Sequence, residues 1–254
     1  MKKFLALLLA GWAAVSFTAC SNGGEEGAQT DTSFALSQTS TTKAPSLVQE
    51  ETPSSSNAQT AGETTAESSA ANRLVAYFSY AENAGLPDGV DASATASIQV
   101  WDGRTTGNTG VVAAMIAQAA QADLFSIQTE EKYPDSYDAT IDQGQEERNA
   151  NARPKLATHV ENLEQYDVIF LGFPNWWGDM PMALYSFLEE TDLSGKTIVP
   201  FVTSGGSGFS GTIQAIESME PGATVEEGLS ISASGATGAQ EQVNEWLREL
   251  GYTG

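Results

Sequence analysis

The chain has 254 residues, with 33 Asp or Glu against 11 Lys or Arg, one His and one Cys, for a formal charge of -22. So acidic a balance excludes a nucleic-acid partner, because phosphate backbones select basic patches. The lone Cys20 excludes an intramolecular disulfide and any multi-thiolate metal site, and the lone His159 leaves little for a zinc or haem centre, so no metal site is expected.

In chain order, residues 1–20 come first, as Lys2-Lys3, an apolar run from Phe4 to Val15, and the close Ser16-Phe17-Thr18-Ala19-Cys20. Charged, apolar and small residues in that order read as a secretory signal, and twelve apolar residues fall short of the about 20 that span a bilayer. The close resembles a bacterial lipoprotein signal, in which the Cys becomes the lipid-bearing first residue of the mature protein, with Phe17 where that family usually has Leu. The resemblance implies an extracytoplasmic protein held to the membrane by a lipid anchor at Cys20. The alternative, a buried Cys after an ordinary signal, fits poorly with the polar stretch that follows.

Residues 21–72 hold 19 Ser or Thr in 52 positions and one aromatic, Phe34. Such a segment buries too little apolar surface to offset its ordering entropy, and reads as a disordered linker.

Residues 73–254 carry 8 Lys or Arg against 26 Asp or Glu, a net of -18, so the acidity belongs to the folded domain as well. Leu74 to Phe78, Leu124 to Ile127, Val168 to Phe173 and Thr197 to Val202 are short, branched and aromatic, as strands buried on both faces are. A fifth strand near Thr224 to Leu229 is interrupted by Gly222 and Gly228. Between them, Val112, Met115, Ile116 and Ala119 recur at helical spacing, as do Met182, Leu184, Tyr185 and Leu188, and later Val243, Trp246, Leu247 and Leu250. The alternation predicts an α/β fold, a doubly wound parallel sheet with helices on both faces.

Ligands of such sheets bind beyond the carboxyl ends of the strands, so the loops there carry the chemistry. Ser79 follows the first strand, and Thr105-Thr106-Gly107-Asn108-Thr109-Gly110 immediately precedes a helix. Hydroxyls and small residues at a helix start suit a phosphate, although they suit a plain N-cap as well. The third strand runs into Phe173-Pro174-Asn175-Trp176-Trp177-Gly178-Asp179, and the fourth into Thr203-Ser204-Gly205-Gly206-Ser207-Gly208. Adjacent tryptophans in a loop expose apolar area that a flat aromatic ligand would cover, with one ring expected to pack inward. The Gly-rich loop offers backbone amides and close approach.

These loops resemble, in order and spacing, those of the flavodoxin-like family of FMN-binding electron-transfer proteins. The start Leu74-Val75-Ala76-Tyr77-Phe78-Ser79, the Thr106-Gly107-Asn108-Thr109 loop, the run Tyr166 to Gly172 and the double-Trp loop all carry the likeness, which covers residues 73–254. The resemblance implies FMN as cofactor, its phosphate at Ser79, Thr106, Gly107, Asn108 and Thr109. It implies the isoalloxazine between Pro174, Asn175, Trp176, Trp177, Gly178 and Asp179 on one side and Thr203, Ser204, Gly205, Gly206 and Gly208 on the other. It also implies a five-stranded sheet of order 2-1-3-4-5.

The chain departs from short flavodoxins in the 25 residues from Tyr80 to Arg104 that separate the first strand from the phosphate loop. Similar insertions occur in some extracytoplasmic relatives that it resembles. Within it, Ala96 to Trp101 reads as a small strand and Asp102-Gly103 as a turn. Arg104 is within sequence reach of the phosphate or plainly on the surface, and Tyr133 to Tyr137 walls the ligand site or simply turns. No catalytic residue is assigned: His159 precedes a strand, and Ser207 misses the esterase elbow because Phe209 stands where Gly is needed.

The expected function is electron transfer outside the cytoplasmic membrane, with redox proteins or quinones as partners. The alternatives are an NAD(P)H-dependent quinone or flavin reductase on the same fold, and a non-catalytic binding lipoprotein whose flavin site has decayed.

Overall fold

Apolar runs bounded by polar turns become strands in a computed structural model that describes residues 72–87 and 97–253. The signal segment and nearly all of the 21–72 stretch lie outside the described residues. In chain order the strands are β1 (Arg73–Tyr77), β2 (Ile98–Trp101), β3 (Arg104–Gly107), β4 (Asp123–Ser126), β5 (Val168–Pro174), β6 (Thr197–Ser204), β7 (Thr224–Val225) and β8 (Leu229–Ser232). The helices are α1 (Tyr80–Asn83), α2 (Asn108–Ala120), α3 (Tyr137–Ala150), α4 (Met182–Glu190), α5 (Thr212–Met219) and α6 (Gln240–Glu249).

Six strands make one parallel sheet in the order β4-β1-β5-β6-β7, with β8 also beside β6. Successive strand residues face opposite sides, so each strand feeds two cores. Leu74, Ala76, Ile169, Leu171 and Ile198 pack under Ala183, Leu184 and Phe187 of α4 and Ile216 of α5. Val75, Tyr77, Phe170, Val199 and Phe201 pack under Val112, Met115 and Ile116 of α2 and Val243, Trp246 and Leu247 of α6. Counting β7 and β8 as pieces of one strand, the order is the expected 2-1-3-4-5.

That last strand corrects the expectation of one run over 224–229. Val225 pairs with Ile198 and Leu229 with Phe201, so four steps on one side match three on the other. The extra residue is a bulge. It falls opposite Pro200, whose backbone points the same way as that of Ile198, the acceptor for Glu226 N–H at 2.9 Å. Proline has no N–H to donate across the gap, and the ladder breaks there. A second correction concerns β4, expected to be buried on both faces: it is the sheet edge, and Leu124 is exposed.

The insert contains the expected strand and turn, and more. β2 and β3 form an antiparallel hairpin through Asp102 (φ 48°) and Gly103 (φ 72°), a two-residue turn with both residues left-handed. The returning arm is Arg104–Gly107, so Thr106 and Gly107 lie on a strand that runs straight into α2 instead of in a free loop.

Candidate functional site

A cavity of about 800 Å³ opens at the carboxyl ends of β1, β5 and β6. Its walls come from Ser79 and Tyr80 after β1, Ser97 to Gln99 at the start of the hairpin, Asn108 and Thr109 of α2, and Tyr137, Thr140 and Ile141 of α3. Pro174 to Trp177 after β5, Thr203 to Gly205 at the end of β6, and Ala233-Ser234 after β8 complete it. Among the described residues, no charged side chain is on that wall. Hydroxyls and amides supply its polarity.

At one end stands the first turn of α2, whose leading N–H groups have no acceptor inside the helix. Gly107 precedes the helix with no side-chain cap. A Cβ at position 107 would fall 2.1 Å from Ser79 Oγ and 3.0 Å from Ser97 O, so only glycine allows the two loops to close on the helix start. Ser79 is 1% exposed and its Oγ has no partner among the described residues, an orphaned hydroxyl at the cavity wall. Thr109 Oγ1 shares a 2.7 Å hydrogen bond with Thr203 Oγ1, both buried, which ties α2 to the end of β6.

Behind Ser79, the buried Asn83 side chain donates to Ser79 O and Ile127 O, each at 3.0 Å, and accepts from Thr129 N at 2.8 Å and Thr129 Oγ1 at 3.2 Å. This one amide holds the loops after β1 and β4 together. Glu82 accepts from Tyr77 OH at 3.2 Å and from Thr106 Oγ1. Burial first, and then the Glu82 carboxylate, push the Tyr77 phenol well above its usual range.

The double-Trp loop is a tight turn. Trp176 N donates to Asp179 O at 2.9 Å, Asp179 N donates to Trp176 O at 3.0 Å, and Trp177 (φ 58°) and Gly178 (φ 77°) between them are both left-handed. For a side chain as bulky as Trp this conformation is uncommon, and such strain concentrates at ligand sites. The two indoles divide. Trp176 packs edge-on against Phe78 (5.5 Å between centroids) and Tyr133 (5.4 Å), and over Gly144 of α3. Trp177 is 47% exposed at the cavity, its Nε1 donating to Ile141 O at 3.1 Å, and Tyr137 on the same rim is also exposed.

Of the residues expected at the cofactor, Ser79, Asn108, Thr109, Pro174, Asn175, Trp176, Trp177, Thr203, Ser204 and Gly205 line the cavity. The other six do not line it. Thr106 gives its hydroxyl to Glu82, Gly107 provides clearance, and Gly178 donates its N–H to Asn175 Oδ1 at 3.0 Å. Asp179 turns toward α3 and α4, accepting from Tyr185 OH and Met180 N at 2.8 Å and lying 3.5 Å from Arg148. The N–H groups of Gly206 and Gly208 both reach Ser204 Oγ, at 3.2 and 3.0 Å. His159 is distant from the site, 3.4 Å from Glu190 on the surface.

The sequence reading left out Tyr80, Ser97, Ile98, Gln99, Thr140, Ile141, Ala233 and Ser234, which also line the cavity. Tyr137, expected to wall the site or simply to turn, stands exposed on its rim. The residues of α3 gave no apolar stripe to announce a helix, since only Thr140 and Gly144 of it are buried.

The family model described as Flavodoxin matches residues 98–250. Among solved structures, the chain is similar to a candidate flavoprotein from Bacteroides eggerthii DSM 20697, with 26% identity and a TM-score of 0.54 over 71% of this chain and 98% of that one. It is similar to another from Bacteroides uniformis ATCC 8492, with 27% identity and a TM-score of 0.53 over 70% and 98%. No curated protein matches the chain.

Proposed function

This chain belongs to the flavodoxin family, and from that premise we propose that it holds FMN in the cavity and passes electrons outside the cytoplasmic membrane, anchored through lipid at Cys20. The observation that carries the reading is Ser79 Oγ, buried and unpartnered beside the first turn of α2 on an uncharged cavity wall. A phosphate satisfies that hydroxyl, and the open amides with it. Trp177 and Tyr137 offer exposed aromatic faces on the rim for a flat ring.

Bound there, the flavin supplies the redox chemistry, and the protein contributes binding, orientation and electrostatics. Ser79, Asn108 and Thr109 hold the phosphate end, while Asn175 and Ser204 brace the two loops that flank the ring. The net charge of -18 over residues 73–254 disfavours added negative charge on the group and steers the protein toward basic redox partners.

The wall supports a carrier over an NAD(P)H-dependent reductase, since a dinucleotide pyrophosphate would find no cation on it among the described residues. Stopped-flow mixing of the FMN-loaded chain with NADH and NADPH separates the two. Slow bleaching by both, beside rapid reduction by a protein or quinol donor, is expected; bleaching by either nucleotide at catalytic rates would overturn the carrier reading.

A further inference from the structure

The inserted hairpin meets the first residue of α2, at the phosphate end of the cavity, through the side chain of Gln99. Gln99 Nε2 donates to Asn108 Oδ1 at 2.7 Å, and Asn108 N donates to Ser97 O at 3.2 Å, so the hairpin grips the first residue of α2 by backbone and by side chain. The β2–β3 register sets Gln99 opposite Thr106, two residues before Asn108.

An asparagine amide presents an acceptor on one side and two donors on the other. With Oδ1 engaged by Gln99, Nδ2 is the end left over, and it has no protein partner among the described residues. Asn108 itself stands on the cavity wall. Turned the other way, the amide would set a carbonyl oxygen toward the phosphate. Among the described residues no Lys or Arg on the wall would compensate, so the sign of each neutral dipole there decides whether an anion is accepted.

We infer that Gln99 is a positioning residue that fixes the Asn108 amide with its donors toward the cavity and thereby makes the site select the phosphorylated flavin over the unphosphorylated one. The role rests on the FMN reading above. It gives the insert a function in ligand choice, with Gln99 acting through Asn108 and not on the ligand itself.

The test is titration of the purified full chain with FMN and with riboflavin, for the wild type, Gln99→Leu, Gln99→Glu, Asn108→Ala and the Gln99→Leu/Asn108→Ala double variant. Gln99→Leu should weaken FMN about ten-fold, the scale of one hydrogen bond to a charged group, with riboflavin unchanged. Gln99→Glu keeps the shape but only accepts, so it should reverse the amide and cost FMN at least as much. In the Asn108→Ala background Gln99→Leu should cost nothing more. Equal losses for both flavins would reduce Gln99 to a structural role, and an unchanged FMN preference in Gln99→Leu or Gln99→Glu would remove the role altogether. Should Gln99→Leu fail to fold, Gln99→Met, of similar length and with neither a donor nor an added charge, decides in its place. A wild type that prefers neither flavin would take away the phosphate site and this role with it, whereas a wild-type preference that survives the substitutions removes the role and leaves the FMN reading standing.

Discussion

Asn175 is hydrogen-bonded to Gly208, its Nδ2 donating to the glycine carbonyl at 2.8 Å, and this bond joins the two loops that wall the cavity. The same amide donates to Ser210 Oγ at 3.0 Å, and its Oδ1 accepts from Gly178 N at 3.0 Å. One side chain therefore fixes both the turn that carries Trp177 and its distance from the Gly-rich loop. Asn175→Ala should lower stability by about 1–3 kcal/mol, as a lost amide bridge does, and should weaken flavin binding as well. Chemical denaturation of the apoprotein and flavin titration measure the two effects.

The two tryptophans should respond differently to truncation. Trp176 is wedged among Phe78, Tyr133 and Gly144, so Trp176→Ala should destabilise by about 3 kcal/mol through the void it leaves. Trp177 stands half-exposed at the cavity, so Trp177→Ala should leave stability nearly unchanged. It should weaken flavin roughly three-fold to ten-fold, the scale of aromatic stacking. Thermal unfolding beside quenching of flavin fluorescence distinguishes them.

Asn83→Leu should be among the most damaging single changes. It removes two donated and two accepted hydrogen bonds from a fully buried position, leaving the Ser79 and Ile127 carbonyls and the Thr129 N–H without partners. A loss of about 3 kcal/mol or more is expected in denaturant titration, since each orphaned buried group costs about 1–3 kcal/mol.

Alkaline pH should destabilise the fold. Burial first, then the Asp179 carboxylate, push the Tyr185 phenol up to about 12, and burial with Glu226 raises Tyr252 to about 12 as well. The folded state holds these protons more tightly than the unfolded chain, whose phenols titrate near 10. Their contribution is therefore whole below about pH 10 and is lost as pH rises from there toward 12. The slope of stability against pH over that window should be shallower in Tyr185→Phe, measured by urea unfolding.

How much of this was legible in the sequence follows from what each element buries. β1, β5 and β6 were readable because both their faces are covered, which writes an unbroken apolar run, and α2, α4 and α6 because each buries one stripe. α3 was not, because the two residues it buries, Thr140 and Gly144, are small or polar and write no apolar stripe. The three site loops were readable as motifs, but a motif does not say which of its groups face the ligand. Thr106 turns to Glu82 and Asp179 to Tyr185, each through a partner that lies elsewhere in the fold or sequence. Gln99 gave no signal at all: its role exists only because the hairpin folds back on the start of α2.

The proposed anchor should separate cleanly from the site. Cys20→Ser is expected to yield an unprocessed or soluble protein in fractionation and intact-mass measurement, with flavin binding unaffected, because the cavity begins more than fifty residues later at Ser79. Unchanged membrane association and mature mass would contradict the lipid anchor.

The most direct measurement of the central claim is calorimetric titration of the full chain with FMN and with riboflavin, repeated on Ser79→Ala. FMN should bind at one site per chain at least ten-fold more tightly than riboflavin, and Ser79→Ala should erode that difference while leaving riboflavin alone. Equal affinity for the two flavins, or binding of neither, would contradict the account.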